Sequence, residues 1–347
     1  MINKSVNPQL QEESRFRSRF VPHQIALMSL WLVTTIVMIL VLIKGGGRTN
    51  ISNAIRQILH VLYVVVLLWY LARTGPSLNQ LTEGSVPVKL RSKIVAWLAV
   101  LGVAIFFLLS FFSANDIGPL ILLSGIAFVA ILLAWGRDLS LRLVIQGLAV
   151  AIFAYLAGSV WVKLGVLRES WNMILSAFTV PFYITGGLLL KRTGLGGMQL
   201  LNGKVRQALQ SVCVGSLLFV PLGLINALGD PSVDLSVISE WWMPLWLPWW
   251  SGINEEAWYR LYLVGLIYFM LRPAFHKYPS LAVVAAVLFS GIVFGVGHGL
   301  TLDHLLTTGL LYGVPFATVF AKRDLEHAVG ANYMVNLVPA VVAFLLR

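Results

Sequence analysis

Residues 280–300 read SLAVVAAVLFSGIVFGVGHGL, a stretch with no Asp, Glu, Lys or Arg. About 20 mostly apolar residues in a helix cross the hydrocarbon of a bilayer, so this segment alone argues for a membrane span. Working outward, segments of the same kind recur at roughly 25–43, 56–72, 94–113, 117–135, 143–162, 171–190, 207–228, 255–271, 305–321 and 327–346. Together they predict an all-α, polytopic transmembrane helix bundle of about eleven spans, with no soluble domain left over. Composition agrees: 58% of the 347 residues are apolar and 11% charged, against about 25% charged in soluble domains.

Composition also excludes several functions. The single cysteine, Cys213, lies in an apolar run and rules out both a disulfide framework and a thiolate zinc cluster. The net charge of +11 does not point to nucleic acid, because the basic residues are spread through short loops. They read as topology. With a cytoplasmic amino terminus, inner segments hold 18 Lys and Arg and outer segments 6, namely Lys44, Arg48, Arg56, Lys163, Arg168 and Arg347. The expected location is the plasma membrane of a bacterium, amino terminus inside, with the lipid bilayer as obligatory partner. The first span follows a polar, basic tail without a small-residue cleavage site and is expected to be a retained anchor.

The longest outer loop, 229–254, contains WWMPLWLPWW at 241–250. Two prolines among five tryptophans are expected to prevent a straight helix. Tryptophan favours the membrane interface, so the stretch is read as an anchor or as a gate beside the eighth span.

The interiors of the first seven spans carry no Asp, Glu, Lys or Arg, whereas the eighth opens with Glu255, Glu256 and Arg260 in INEEAWYRLYLVGL. Ionisable groups within a bilayer are costly and usually face a polar cavity, so the cluster is a candidate site. Glu256 and Arg260, four apart, share a helix face and can pair. Glu255 points about 100° away and is the better general base. On the next span Phe294 and His298 are four apart, flanked by Gly291, Gly295, Gly297 and Gly299, which allow a close helix neighbour. Successive spans run in opposite directions, so Glu255 and His298 should meet near one surface and could deprotonate one water. The last span carries Asn332 and Asn336 on one face, either as amide donors for an oxyanion or as glue between helices. His60, with no acidic neighbour, is read as a helix-packing histidine; His304 and His327 are read as capping or loop residues.

These strings resemble the CPBP (Abi) family of intramembrane proteases, which includes the type II CAAX prenyl endopeptidases and bacteriocin-processing proteins. Glu-Glu-x-x-x-Arg is met by Glu255, Glu256 and Arg260, and Phe-x-x-x-His by Phe294 and His298. The resemblance covers roughly 171–347 and implies a protease core over 166–347 behind a five-span extension over 1–165. It implies that Glu255 and His298 activate water, that Glu256 and Arg260 support them, and that Asn332 and Asn336 stabilise the oxyanion. The third motif, His-x-x-x-Asn, is altered here, since Asn332 stands where the family has histidine. Asparagine donates a hydrogen bond but carries no proton.

The implied function is an intramembrane endopeptidase acting on a membrane-associated peptide or protein. No cofactor is expected; zinc is the alternative not favoured, because it takes three protein ligands. Two other functions remain open. One is a catalytically inactive relative serving as a peptide-binding, immunity or regulatory factor. The other is a transporter, which would show matching polar sites in two repeats.

Overall fold

The computed structural model describes residues 8–43, 50–74, 138–229, 238–273, 275 and 278–345. Among them there are helices and no strands. The elements are α1 (Pro8–Ile43), α2 (Asn50–Thr74), α3 (Leu141–Lys163), α4 (Glu169–Thr193), α5 (Val205–Ala227), α6 (Met243–Trp246), α7 (Pro248–Glu255), α8 (Gly265–Leu271), α9 (Pro279–His298), α10 (Val314–Lys322) and α11 (Leu325–Leu345). Two stretches are π-helical, Glu256–Val264 between α7 and α8 and His304–Gly313 leading into α10.

The protein is an all-helical membrane bundle. Eight of the described helices are long and apolar enough to cross a membrane. The segment from Pro248 to Leu271 is a further helical run that changes type at Glu256 and Gly265. The expected spans 94–113 and 117–135 lie outside the described residues. Large apolar side chains such as Met28, Ile43, Leu141, Ile152 and Leu217 point outward. Water would penalise such a surface, and lipid does not.

Local sequence sets the helix ends. Ser140 caps α3 by accepting from Leu143 N at 3.3 Å. Gly194, at φ +68°, closes α4 in the left-handed conformation just after Lys191 and Arg192, where positive charge meets the negative end of the helix dipole. Asp324 caps α11: its Oδ1 accepts from His327 N at 2.8 Å and His327 Nδ1 at 2.7 Å, while Oδ2 accepts from Gln199 at 3.2 Å and Ser211 at 3.0 Å.

The packing that positions the site depends on glycine. Gly215 of α5 and Gly330 of α11 face each other so closely that a Cβ on the first would overlap the carbonyl of His327 and one on the second that of Val212. The two helices therefore run side by side almost backbone to backbone. Gly291 and Gly295 of α9 likewise lie against the π-helical stretch 304–313, where a Cβ would meet Gly309 O at 2.9 Å and His304 O at 2.6 Å respectively. Helices from the first 165 residues are fastened to the remainder: Trp31 of α1 donates to Leu217 O at 2.8 Å, and Arg323 to Thr74 of α2 at 2.9 Å.

WWMPLWLPWW is not a loop. It forms α6 and the first turn of α7, divided at Leu247, because Pro244 and Pro248 sit in the first turns of their helices, where no N–H is needed. Its tryptophans fasten it to α3 and α4: Trp246 donates to Leu156 O at 3.2 Å, Trp250 to Asn172 Oδ1 at 3.1 Å, and Trp161 donates back to Leu247 O at 3.1 Å. The helix thus begins at Pro248, not at residue 255, and Glu255 lies about 10 Å along it at 1.5 Å per residue. Asn332 lies at a similar depth from the opposite end, two turns into α11. Carboxylates and amide meet mid-bundle.

Candidate active site

Glu255, Glu256, Arg260, His298, Asn332 and Asn336 all come together in one cluster. Although successive helical residues diverge, the side chains of Glu255 and Glu256 both bend to one amide nitrogen. Asn332 Nδ2 donates to Glu255 Oε2 at 3.0 Å and Glu256 Oε1 at 2.8 Å. Asn336 Nδ2 in turn donates to Asn332 Oδ1 at 2.8 Å and to its backbone oxygen at 3.0 Å. The asparagine pair is therefore a relay that holds the carboxylates, with every amide hydrogen engaged.

The two glutamates have different surroundings. Glu256 is fully buried and pairs with the equally buried Arg260, Nε to Oε2, at 3.4 Å. That is an ion pair without hydrogen-bond geometry, since neither atom has a hydrogen-bond partner. Aromatic faces complete the cage around the cation: the guanidinium carbon lies 4.2 Å from the Phe294 ring centre, 5.2 Å from Phe316 and 5.6 Å from Tyr259. Glu255 keeps access to solvent, with 17% of its side chain exposed, and its free Oε1 faces His298 Nε2 at 3.9 Å.

His298 is 39% exposed, and its Nδ1 is 2.8 Å from Phe294 O. A carbonyl only accepts, so Nδ1 carries a hydrogen, and in the neutral imidazole Nε2 offers its lone pair toward Glu255. Phe294 thus does two jobs from one position: its carbonyl orients the imidazole and its ring covers Arg260.

Sequence reasoning missed the chamber beside this cluster. A cavity of about 430 Å³ is bordered by His298 and Asn336 together with Arg56, His60, Asp303 and His304. It opens where α2 begins and where α3, α5, α9 and α11 end. His60, expected to be a packing histidine, lines it with Nε2 lacking a hydrogen-bond partner. His304 bonds Thr301 Oγ1 at 2.8 Å, and His327 is held on Asp324, away from the cluster. The π-helical stretches, one carrying Glu256 and Arg260 and the other lining the cavity, were also unforeseen; π-helical insertions often mark functional sites.

Among the described residues no group of three His, Cys, Asp or Glu side chains could hold a metal ion. The chain matches no protein-family model, no curated protein and no solved structure.

Proposed function

We propose that the protein is an intramembrane endopeptidase of the CPBP type, hydrolysing a peptide bond in a membrane-associated peptide or protein. One observation carries the reading: Glu255 Oε1 and His298 Nε2 face each other across 3.9 Å. The gap is too long for a direct hydrogen bond and suits a shared water. A water about 2.8 Å from both atoms subtends about 90° between them, so it can donate one hydrogen to each and leave its lone pairs free. Glu255 takes the proton as the water oxygen attacks the scissile carbonyl carbon. The same proton then passes to the leaving nitrogen, releasing an acid and an amine with no acyl-enzyme. Glu256, Arg260 and Asn332 hold Glu255 in position, and the oxyanion draws on Asn336, which borders the cavity, as it exchanges a bond to Asn332 for one to substrate.

The donors do not suit zinc, which takes three protein ligands. Glu255 and His298 supply two, Glu256 is committed to Arg260, and Asn332 is a neutral amide. No step passes through a metal. The 18 to 6 split of basic residues supports an amino terminus on the inner side of the membrane, and on that reading the cavity opens on the outer side.

In nanodiscs, the wild-type protein should cleave apolar peptides detectable by mass spectrometry, and Glu255→Gln should lower the rate by about 10²–10⁴-fold with unchanged thermal unfolding. Cleavage by Glu255→Gln at the wild-type rate sinks the mechanism. A second reading, peptide binding without turnover, is favoured by Asn332, which occupies the family's histidine position with both amide hydrogens already engaged. Peptides bound but never cleaved by wild type would select it.

A further inference from the structure

We propose that Arg56 and His60, on the α2 wall of the cavity, form a pocket for a carboxylate of the substrate, either an acidic side chain or a free carboxyl terminus. The inference rests on the endopeptidase reading for its substrate, but on separate residues for its chemistry. Arg56 and His60 are four apart on α2 and share a face, and both border the cavity that reaches His298 and Asn336.

The wall carries unanswered polar atoms. Among the described residues no carboxylate lies within ion-pair distance of Arg56, and its Nε is buried without a hydrogen-bond partner. His60 is 4% exposed, its ring lies 4.7 Å from that of Tyr312, and its Nε2 is also unpartnered. Buried polar atoms are nearly always paired, and exceptions ask for a ligand or a functional reason. Room for the guanidinium is provided by Gly229, where a Cβ would stand 2.8 Å from Arg56 Nη1.

A carboxylate matches this set. It accepts two parallel bonds from arginine, while the His60 imidazole, whose N–H is directed to Leu311, lines the wall beside it. Among the described residues Arg56 is the only Lys or Arg bordering the cavity, and Asp303 the only acid, so a negative group is repelled from one part of the chamber and drawn to the other. A cavity of 430 Å³ would be about 9 Å across if spherical, the length of two or three extended residues. The recognised carboxylate therefore lies within about three residues of the scissile bond.

The test uses the full chain in phosphatidylcholine nanodiscs, with Glu255→Gln as background so that turnover does not intrude. Fluorescent apolar peptides are compared in two pairs: free carboxyl terminus against amide, and internal Glu against Gln. The carboxylate member of at least one pair should bind ~10-fold or more tightly, and which pair responds identifies the source. Arg56→Gln should erase the difference, Arg56→Lys should keep part of it, and Gly229→Val, which crowds the guanidinium without removing its charge, should shrink it. Equal Kd within both pairs, no binding at all, or a preference that survives Arg56→Gln overturns the proposal. Equal Kd with displacement by phosphatidylglycerol would instead assign the anion to lipid. Cleavage is scored separately with wild-type protein: a carboxylate preference without cleavage tells against the endopeptidase alone, and cleavage without preference against the pocket alone.

Discussion

Replacing Arg260 by Met should be among the most damaging single changes in the bundle. Arg260 and Glu256 are fully buried and form an ion pair with each other. Taking away one member of such a pair typically costs about 3–5 kcal/mol, because a charge is left in a medium that cannot solvate it. Loss of the ring contacts to Phe294 and Phe316 adds to this, at about 2 kcal/mol for a desolvated cation over aromatic faces, partly offset by the new methionine packing. Glu256→Gln should be damaging for the same reason, since it strands the guanidinium. The double variant Glu256→Gln/Arg260→Met should return to within about 2 kcal/mol of wild type, because a buried pair replaced by neutral groups of similar size is often close to neutral. Reversible denaturant unfolding in mild detergent, followed by tryptophan fluorescence, gives all four stabilities and hence the coupling energy. A coupling below about 1 kcal/mol, or an Arg260→Met variant as stable as wild type, would refute the view that this pair is a closed electrostatic unit.

Further consequences can be checked in the same preparation. Gly330→Leu should force α5 and α11 apart, cost about 1–3 kcal/mol, and lower cleavage by moving Asn332, read by unfolding and peptide hydrolysis together. Asn332→His keeps a donor near the carboxylates and adds a proton carrier, so cleavage at or above the wild-type rate is expected; its loss would mean that the site needs the amide's two hydrogens. Burial pushes the Asp324 carboxyl up, but bonds from His327 and Gln199 outweigh it and hold the carboxyl below its ordinary value. Its folded value is thus depressed, and the associated stability is complete above about pH 4, the unfolded carboxylate range. The stability gap between wild type and Asp324→Asn should therefore be full at neutral pH and close as pH falls through the folded value, and an unchanged gap in acid would contradict this.

How much of this was legible beforehand depended on range. The all-helical membrane bundle followed from segments such as 280–300, because apolar length is a local property. The Glu256–Arg260 pair followed from spacing within one helix, and the approach of Glu255 to His298 from the alternation of spans. The start of the eighth helix was misplaced because Pro244 and Pro248 were read as breakers, whereas each occupies the first turn of a helix, where proline is tolerated. Arg56 and His60 gave no signal, since nothing in α2 announces that it will face α5 and the stretch 304–313. Asn332 and Asn336 were placed on the right face, but their engagement by Glu255, Glu256 and each other depends on side-chain torsions that no periodicity encodes.

The helix that bears Glu256 and Arg260 is wound, from Glu256 to Val264, more loosely than an ordinary one. Such a coil is an α-helix holding one residue more than its turns require, and the surplus is absorbed in a widened turn that keeps the helix on either side in phase. Deleting one residue from the regular winding of α8 instead would leave no slack to absorb the change and would rotate everything upstream by about 100°. Glu255 would then swing away from His298 while every apolar residue remained acceptable to lipid. The bundle could tolerate that loss as a membrane object and still forfeit its chemistry, which places the angular setting of the carboxylates in a length of backbone rather than in any single side chain.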